Sequence, residues 1–236
     1  IISVITAVII PIDTFKQWNN PSNWISYPKT SMPIWVNYFV AEKIPEHIII
    51  ENPATLSKKG EISVISHQFE VEFLSDDFPN GFIYEFTAKY SGSPLLQIHV
   101  IRPDQVELLL LSTSLPNSET KIVHNERIFS SDETIRKNIQ IQSVKMEFYR
   151  DDIPNEDLIF ADNNKKILEG NYLFLVNLYD VSEHTEIINS KLILGGKVFG
   201  IMGTDELRRD IMIGLLWGTP LALLIGITVA VGSVMM

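Results

Sequence analysis

The chain has 236 residues, with 19 Lys and Arg against 29 Asp and Glu, a formal net charge of −10 and no cysteine. The excess of acid makes the chain a poor partner for nucleic acid, because that affinity rests on Lys and Arg neutralising phosphates. The lack of cysteine excludes a disulfide framework, a cysteine-ligated zinc site and thiol catalysis.

The first ten residues, Ile1–Ile10, are uncharged, mostly apolar and followed by Pro11. This is about half of what a helix needs to cross the hydrocarbon core, so residues 1–10 are predicted to be the end of a first transmembrane helix. Residues 11–43 interleave proline with Trp and Tyr, which favour the boundary between lipid and water. We predict an irregular membrane-proximal segment there. An ordinary strap packed on the folded domain is the alternative.

Residues 44–202 show the alternation that is typical of half-buried strands. Every second residue of Phe82–Tyr90 is apolar, and Gln68–Phe73 alternates in the same way. Asn80-Gly81 lies between these two runs and suits a tight hairpin turn. The connection Ser91–Pro94 leads on to Leu95–Ile101. The pattern predicts a three-stranded meander.

Other strands and one helix are predicted in the same region. The helix spans Asp132–Ile141, with Ser131 as its N-cap. The additional strands are Ile44–Ile50, Val106–Thr113, Lys121–Arg127, Val144–Tyr149, Tyr172–Tyr179, Glu186–Leu194 and Lys197–Ile201, the last two hinged at Gly195-Gly196. Many short strands between turn residues predict a mainly β fold, an immunoglobulin-like β-sandwich, with its strand order left open.

The end of the chain changes character abruptly, since no residue from Ile211 to Met236 is charged. At the junction, Thr204 or Asp205 can cap a helix, and Asp205 and Glu206 place negative charge at its positive end. We predict an interfacial helix over 203–218 that Gly218-Thr219-Pro220 breaks. Residues 219–236 are then the start of a second transmembrane helix.

The junction carries a family resemblance. Gly203–Asp210 reads Gly-Thr-Asp-Glu-Leu-Arg-Arg-Asp. With Gly214–Thr219 and Leu221–Gly226, it resembles the C-type membrane subunit of the dipeptide/oligopeptide-type ABC transporter permeases. That family has Gly-Thr-Asp-x-x-Gly-Arg-Asp between its first and second membrane helices, and Arg208 stands where it usually has glycine. The matching motif residues are Gly203, Thr204, Asp205, Glu206, Leu207, Arg209 and Asp210.

The resemblance implies a fragment of a multi-pass cell-membrane permease that imports peptides or related solutes. Residues 44–202 would be an extracellular domain, similar to the enlarged external insertion of some archaeal members. The implied partners are a second permease subunit, ATP-binding subunits that bind regions outside this chain, an extracellular substrate-binding protein and the lipid bilayer. The alternative is a membrane-anchored β-sandwich surface binding or adhesion module with no transport role.

No motif predicts catalysis, a cofactor or a metal site. Gly195-Gly196-Lys197 lacks the Ser or Thr of a phosphate loop, because Val198 follows it. The five histidines are scattered without metal-ligand spacing. The acidic stretch over 151–164 does not follow the spacing of a calcium loop and is predicted to be solvated. We therefore expect no enzyme activity.

Overall fold

The computed structural model describes residues 16–51, 53–58, 63–162, 166–180 and 185–235. These residues divide into two compact units. Residues 42–196 form the β unit, and residues 16–41 together with 197–235 form the junction unit. The first transmembrane helix predicted at Ile1–Ile10 lies outside the described residues.

The β unit is built from nine strands and one α-helix within the described residues. The strands are β1 Ile48–Ile50, β2 Ala54–Lys58, β3 Ser63–Phe73, β4 Phe82–Gly92, β5 Leu95–Ile101, β6 Glu107–Ser114, β7 Ser118–Phe129, β8 Gly170–Asp180 and β9 Glu186–Leu194. The helix is α1, Glu133–Lys145.

The strands form two antiparallel sheets, ordered β1-β9-β4-β7 and β2-β3-β8-β5-β6. Rings from opposite sheets meet in the core: the Phe82 and Phe174 centroids lie 5.4 Å apart and those of Phe69 and Tyr84 5.9 Å apart. The predicted mainly β sandwich is thereby confirmed. The first and last strands of the unit are neighbours, with Ile48 opposite Leu194.

The predicted meander of three strands is wrong. β3 and β5 lie in the five-stranded sheet and are separated by β8, whereas β4 lies in the other sheet. The Asn80-Gly81 turn pairs with the end of β9 instead of closing a hairpin, since Asn80 N–H donates to Gly195 O at 2.7 Å and Gly195 N–H donates to Gly81 O at 2.8 Å. Alternation shows which face of a strand is buried but carries no information about its neighbour.

The strand predicted at Val144–Tyr149 is also wrong, because α1 continues to Lys145. The N-cap position is Asp132 instead of the predicted Ser131, and its side chain makes no capping hydrogen bond. Ile135, Ile139 and Ser143 are spaced by four residues and all are buried. This spacing puts them on one face of a helix. The core therefore stabilises α1 beyond its predicted end.

The acidic stretch is only partly solvated, because Asn155–Phe160 forms a 3-10 turn with Leu158, Ile159 and Phe160 buried. Arg102, itself 1% exposed, anchors this turn. Its guanidinium donates to Leu158 O at 3.2 Å and to Ala161 O at 2.9 Å, and it pairs with Asp104 at 2.8 Å. The buried charge is thus paired and hydrogen-bonded, as burial requires.

The junction unit is irregular apart from 3-10 turns at Pro21–Asn23 and Ile34–Tyr38 and a long helix, α2, Ile211–Met235. Lys197–Ile201 is not the predicted strand hinged at Gly195-Gly196. Instead it runs beside Met32, whose N–H donates to Lys197 O at 3.0 Å and whose carbonyl accepts from Phe199 N–H at 2.8 Å. Residues 197–202 therefore belong to the junction unit and not to the β domain predicted over 44–202.

Candidate functional site

The motif Gly203–Asp210 forms a closed loop in front of α2. Thr204 and Asp210 face each other in an antiparallel bridge. Between them, Asp205 N–H donates to Arg209 O at 3.1 Å, and Arg208 N–H donates to Asp205 O at 3.0 Å. The seven motif residues are thus brought together at one place, although Glu206 and Leu207 are exposed at the tip of the loop.

Thr204 connects this loop to the segment Pro28–Ser31. Its hydroxyl donates to Pro28 O at 2.7 Å, accepts from Ser31 N–H at 3.0 Å and lies 2.9 Å from Ser31 Oγ. A hydroxyl has one hydrogen and two lone pairs, so these three bonds satisfy it completely. The side chain is buried, which makes Thr204 the fixed point of the loop.

Gly203 allows the two segments to approach each other. Its φ is +73°, and a Cβ at this position would lie 2.2 Å from Ser31 O. Any other residue would meet both a left-handed backbone penalty and a clash. This geometry accounts for glycine at the first position of the motif.

Asp205 holds the loop closed from inside. Its Oδ1 accepts from Leu207 N–H and Arg209 N–H, both at 2.9 Å, and its Oδ2 pairs with the Arg209 guanidinium at 2.6–2.7 Å. Partial burial by itself raises the pKa of Asp205, but the hydrogen bonds and charge of Arg209, with the Leu207 N–H, outweigh it and leave that pKa below its usual value. The carboxylate is therefore held ionised.

Arg208 occupies the position at which the resembled family usually has glycine. Its φ is +66°, in the left-handed region, so the backbone here has the conformation that glycine adopts without strain. The guanidinium of Arg208 donates to Tyr27 O at 2.7 Å. The departure from the family pattern therefore keeps the loop shape and adds a hydrogen bond from the loop to the Tyr27 carbonyl.

Asp210 caps α2. Its Oδ1 accepts from Met212 N–H at 2.9 Å, and the negative charge lies at the positive end of the helix dipole. Burial raises the pKa of this carboxyl, although the N–H groups of Met212 and Ile213 oppose the shift. The predicted cap at Thr204 or Asp205 is thus wrong by six or five positions, because those residues are used to close the loop.

The predicted break at Gly218-Thr219-Pro220 is not present either, since Pro220 lies inside α2. Thr219 Oγ1 donates to Leu215 O at 2.8 Å in the turn before the proline. α2 is long and apolar enough to cross a membrane, and none of its described residues is buried in the structure. At 1.5 Å per residue its 25 residues span about 37 Å, against about 30 Å for the hydrocarbon core.

An aromatic stack supports the loop and the start of α2. Trp18 lies below Arg209, with the guanidinium 4.9 Å from the ring centroid. Trp18 also packs edge-on against Trp24 at 5.4 Å, and its ring lies so close to Gly214 that a Cβ there would be 2.7 Å away. This packing explains glycine at position 214 in the first turn of α2.

The β unit carries a polar surface that sequence reasoning did not identify as a site. On the outer face of the four-stranded sheet, Glu85 of β4 lies between Arg127 of β7 and Lys191 of β9. Lys191 Nζ is 2.8 Å from one Glu85 oxygen, and Arg127 pairs with the other. The alternation of β4 placed Glu85 on this face, but the sequence alone could not name the residues beside it.

The next row along the same face consists of uncharged polar groups. Thr87 lies between Asn125 and Asn189, and its hydroxyl donates to Asn125 Oδ1 at 2.6 Å. The two rows line a groove of about 280 Å³. The groove combines charged and amide groups on rigid strands, so it can offer hydrogen-bond donors and acceptors at fixed spacing to a polar ligand. The residues of the two rows are Glu85, Thr87, Asn125, Arg127, Asn189 and Lys191, and Phe86 and Glu126 complete the lining of the groove.

Among the described residues, no group of three or more His, Asp or Glu side chains converges on a point that could hold a metal ion. Three histidines have separate partners: His67 with Ser190, His99 with Glu107 and His124 with Glu126. Burial lowers the pKa of His67. Each of these histidines is thus paired with a neighbouring side chain of the sandwich.

No protein-family profile and no curated protein matches the chain. Among solved structures, the chain is similar to a structure of the Gx strain of infectious bursal disease virus, with 10% identity, 64% of this chain and 32% of that chain covered, and a TM-score of 0.33. It is also similar to TmCBM61 in complex with beta-1,4-galactotriose, with 11% identity, coverages of 65% and 88%, and a TM-score of 0.25.

A third likeness is to carbohydrate-binding modules from the β-sandwich superfamily, with 6% identity, coverages of 72% and 62%, and a TM-score of 0.28. The chain spans about a third of the viral protein that it matches. At identities of 11% or less and TM-scores below 0.5, these likenesses carry no information on what this chain binds.

Proposed function

We propose that this chain is part of the membrane-spanning permease subunit of an ABC importer for peptides or related solutes. The observation that carries the proposal is the loop Gly203–Asp210, whose sequence resembles the permease motif and whose buried, charged and capping residues each have a definite structural task. A loop of this kind at the start of an uncovered apolar helix is suited to set the direction in which the helix enters a bilayer.

In this proposal α2 is the second membrane helix and the β unit lies outside the cell, at the outer mouth of the pathway. Thr204 fixes the loop to Pro28–Ser31, and Asp210 caps α2, so the helix start is tied to the segment that precedes the β unit in the chain. The β unit shapes the mouth or helps to seat the substrate-binding protein. A second permease subunit and ATP-binding subunits complete the importer.

The test is uptake by proteoliposomes that contain the permease subunit proposed here, the ATP-binding subunits with which it associates and a substrate-binding protein for oligopeptides. Asp205→Ala should lower ATP-dependent oligopeptide uptake at least several-fold, because the loop loses its internal anchor. Glu206→Ala is the matched control, since Glu206 is a neighbouring exposed acid. Full uptake by Asp205→Ala, or no association with an ATP-binding subunit, would contradict the proposal.

A second candidate is a membrane-anchored surface module that binds a polar ligand without transporting it. The observation that favours this candidate is the groove between the Glu85 and Thr87 rows, which presents fixed polar groups. Calorimetric titration of the detergent-solubilised chain with short oligopeptides and oligosaccharides tests it. Binding that Thr87→Ala abolishes and Val123→Ala on β7 leaves intact, in a chain that recruits no ATP-binding subunit, would favour this candidate over the permease.

A further inference from the structure

The junction unit exposes a cluster of large apolar side chains outside α2. Tyr38 and Phe39 are 85% and 82% exposed, and Trp35 is 46% exposed. We call this cluster the aromatic patch; it consists of Ile34, Trp35, Tyr38, Phe39, Ile201 and Met202. Contiguous exposed apolar groups of this kind mark contact with a partner or a membrane.

Hydrogen bonds hold the backbone of the patch and the Trp35 ring in place. Trp35 Nε1 donates to Ile201 O at 2.9 Å, and Ile34 N–H donates to Gly200 O at 2.9 Å. Phe39 closes the 3-10 turn through its N–H and packs edge-on against Trp35 at 6.2 Å. The hydrogen-bonded backbone therefore directs the rings outward, so the rings are exposed when the unit is folded.

The patch is continuous with the segment that leads into α2. Ile201 and Met202 directly precede Gly203, whose carbonyl accepts from Ile211 N–H at 3.2 Å at the start of the helix. The composition also suits a membrane surface, because Trp and Tyr combine an apolar ring with a polar tip and are enriched at the lipid–water boundary. No feature of the described residues favours a protein partner in the way that this composition favours a membrane.

The distribution of charge along the chain also favours contact between the junction unit and a bilayer. Residues 1–41 and 197–236 contain five Lys and Arg and four Asp and Glu, whereas residues 42–196 contain 14 basic and 25 acidic residues. Acidic surfaces are repelled by anionic headgroups. The charges of the junction unit are nearly balanced, so anionic headgroups do not repel it and its exposed rings can approach a bilayer.

We infer that the aromatic patch inserts into the boundary between headgroups and acyl chains of the lipid bilayer, as an attachment separate from α2. The patch then sets how far the start of α2 stands from the membrane surface. This inference holds whether or not the chain transports a solute, since it depends only on the patch and the bilayer.

The lack of cysteine allows a direct test, because one introduced cysteine is the sole labelling site. The full chain carrying Phe39→Cys, spin-labelled and reconstituted in phosphatidylcholine vesicles, should collide more with oxygen than with a water-soluble nickel chelate. Val123→Cys is the control, since Val123 is an exposed apolar residue (58%) on β7. Its label should show the opposite preference.

A label at position 39 that is as open to nickel as the one at 123 would overturn the inference. A label closed to both reagents would also overturn it, because it would mean that protein covers the patch. Tyr38→Cys provides a second reading if the first variant does not fold, and the intrinsic fluorescence of the tryptophans in the junction unit reports folding in each case.

Discussion

The side-chain amide of Gln142 pairs with the backbone of Leu109 in both directions. Gln142 Oε1 accepts from Leu109 N–H at 2.9 Å, and Gln142 Nε2 donates to Leu109 O at 2.7 Å. Leu109 lies on β6, an outer strand of the five-stranded sheet. The amide thus takes the place of a further strand and covers an edge that would otherwise be open to another chain.

Replacement of Gln142 should expose this edge. We expect Gln142→Ala to lower the free energy of unfolding of the β unit by about 1–2 kcal/mol, because one donor and one acceptor lose their partners. Urea unfolding followed by far-UV circular dichroism measures the change. Val144→Ala, an exposed position on the same helix, should have little effect, and an equal loss in both variants would contradict the role of the amide.

Replacement of Thr204 should loosen the junction loop. Thr204→Val keeps the shape of the side chain but leaves Pro28 O and Ser31 N–H unpaired, at an expected loss of about 1–3 kcal/mol. All four tryptophans, Trp18, Trp24, Trp35 and Trp217, lie in the junction unit, so tryptophan fluorescence during urea unfolding measures it selectively. Thr204→Ser retains the hydroxyl and should stay close to the wild type; equal losses would contradict the prediction.

Position 208 should favour glycine over other small residues. We expect Arg208→Gly to be more stable than Arg208→Ala by about 1 kcal/mol, because both lose the bond to Tyr27 O but only alanine retains the left-handed strain. The same fluorescence assay compares the two variants. If alanine is as stable as glycine, the backbone at position 208 does not have the positive φ seen here.

Asp205 and Asp210 should respond to pH in opposite directions. The folded pKa of Asp205 is lowered, so its stabilisation is present above the unfolded pKa and is lost as pH falls through the folded value. The folded pKa of Asp210 is raised, so its ionised form destabilises the fold at neutral pH, and this penalty disappears as pH falls through that value.

At neutral pH, therefore, Asp205→Asn should be less stable than the wild type. Asp210→Asn should be at least as stable, since asparagine also accepts a hydrogen bond at a helix start. Both differences should shrink at acidic pH, as seen in urea midpoints by tryptophan fluorescence. Glu206→Gln is the exposed control, and a shift of the same sign in the two aspartate variants would show that the assigned environments are wrong.

The sequence predicted the kind of structure better than its connections. Alternation in Phe82–Tyr90 correctly identified a strand with one buried face, because the period of a strand is local. It could not show that Asn80-Gly81 pairs with Gly195 across 114 residues. The length of α1 was underestimated because burial of Ser143 in the core, and not local propensity, carries the helix past Ile141.

The sequence drew attention to the junction motif but did not show its geometry. The resemblance selected the residues of Gly203–Asp210, and glycine at 203 was expected to allow a turn. The helix start was misplaced because Asp205 and Asp210 are both suitable capping residues by type. Only the bond that Arg209 donates to the Asp205 carboxylate shows which of them is used inside the loop. The groove on the sheet was missed because its residues come from three strands that are distant in sequence.

The pairing of β1 with β9 has a consequence for how the chain is organised. A segment whose first and last strands lie side by side enters and leaves its body at one place. Residues 42–196 can therefore be regarded as a cassette. If this cassette were removed, a short peptide could join the two chain ends that remain. The cassette could equally be moved to another host loop, which makes its acquisition or loss a single genetic step.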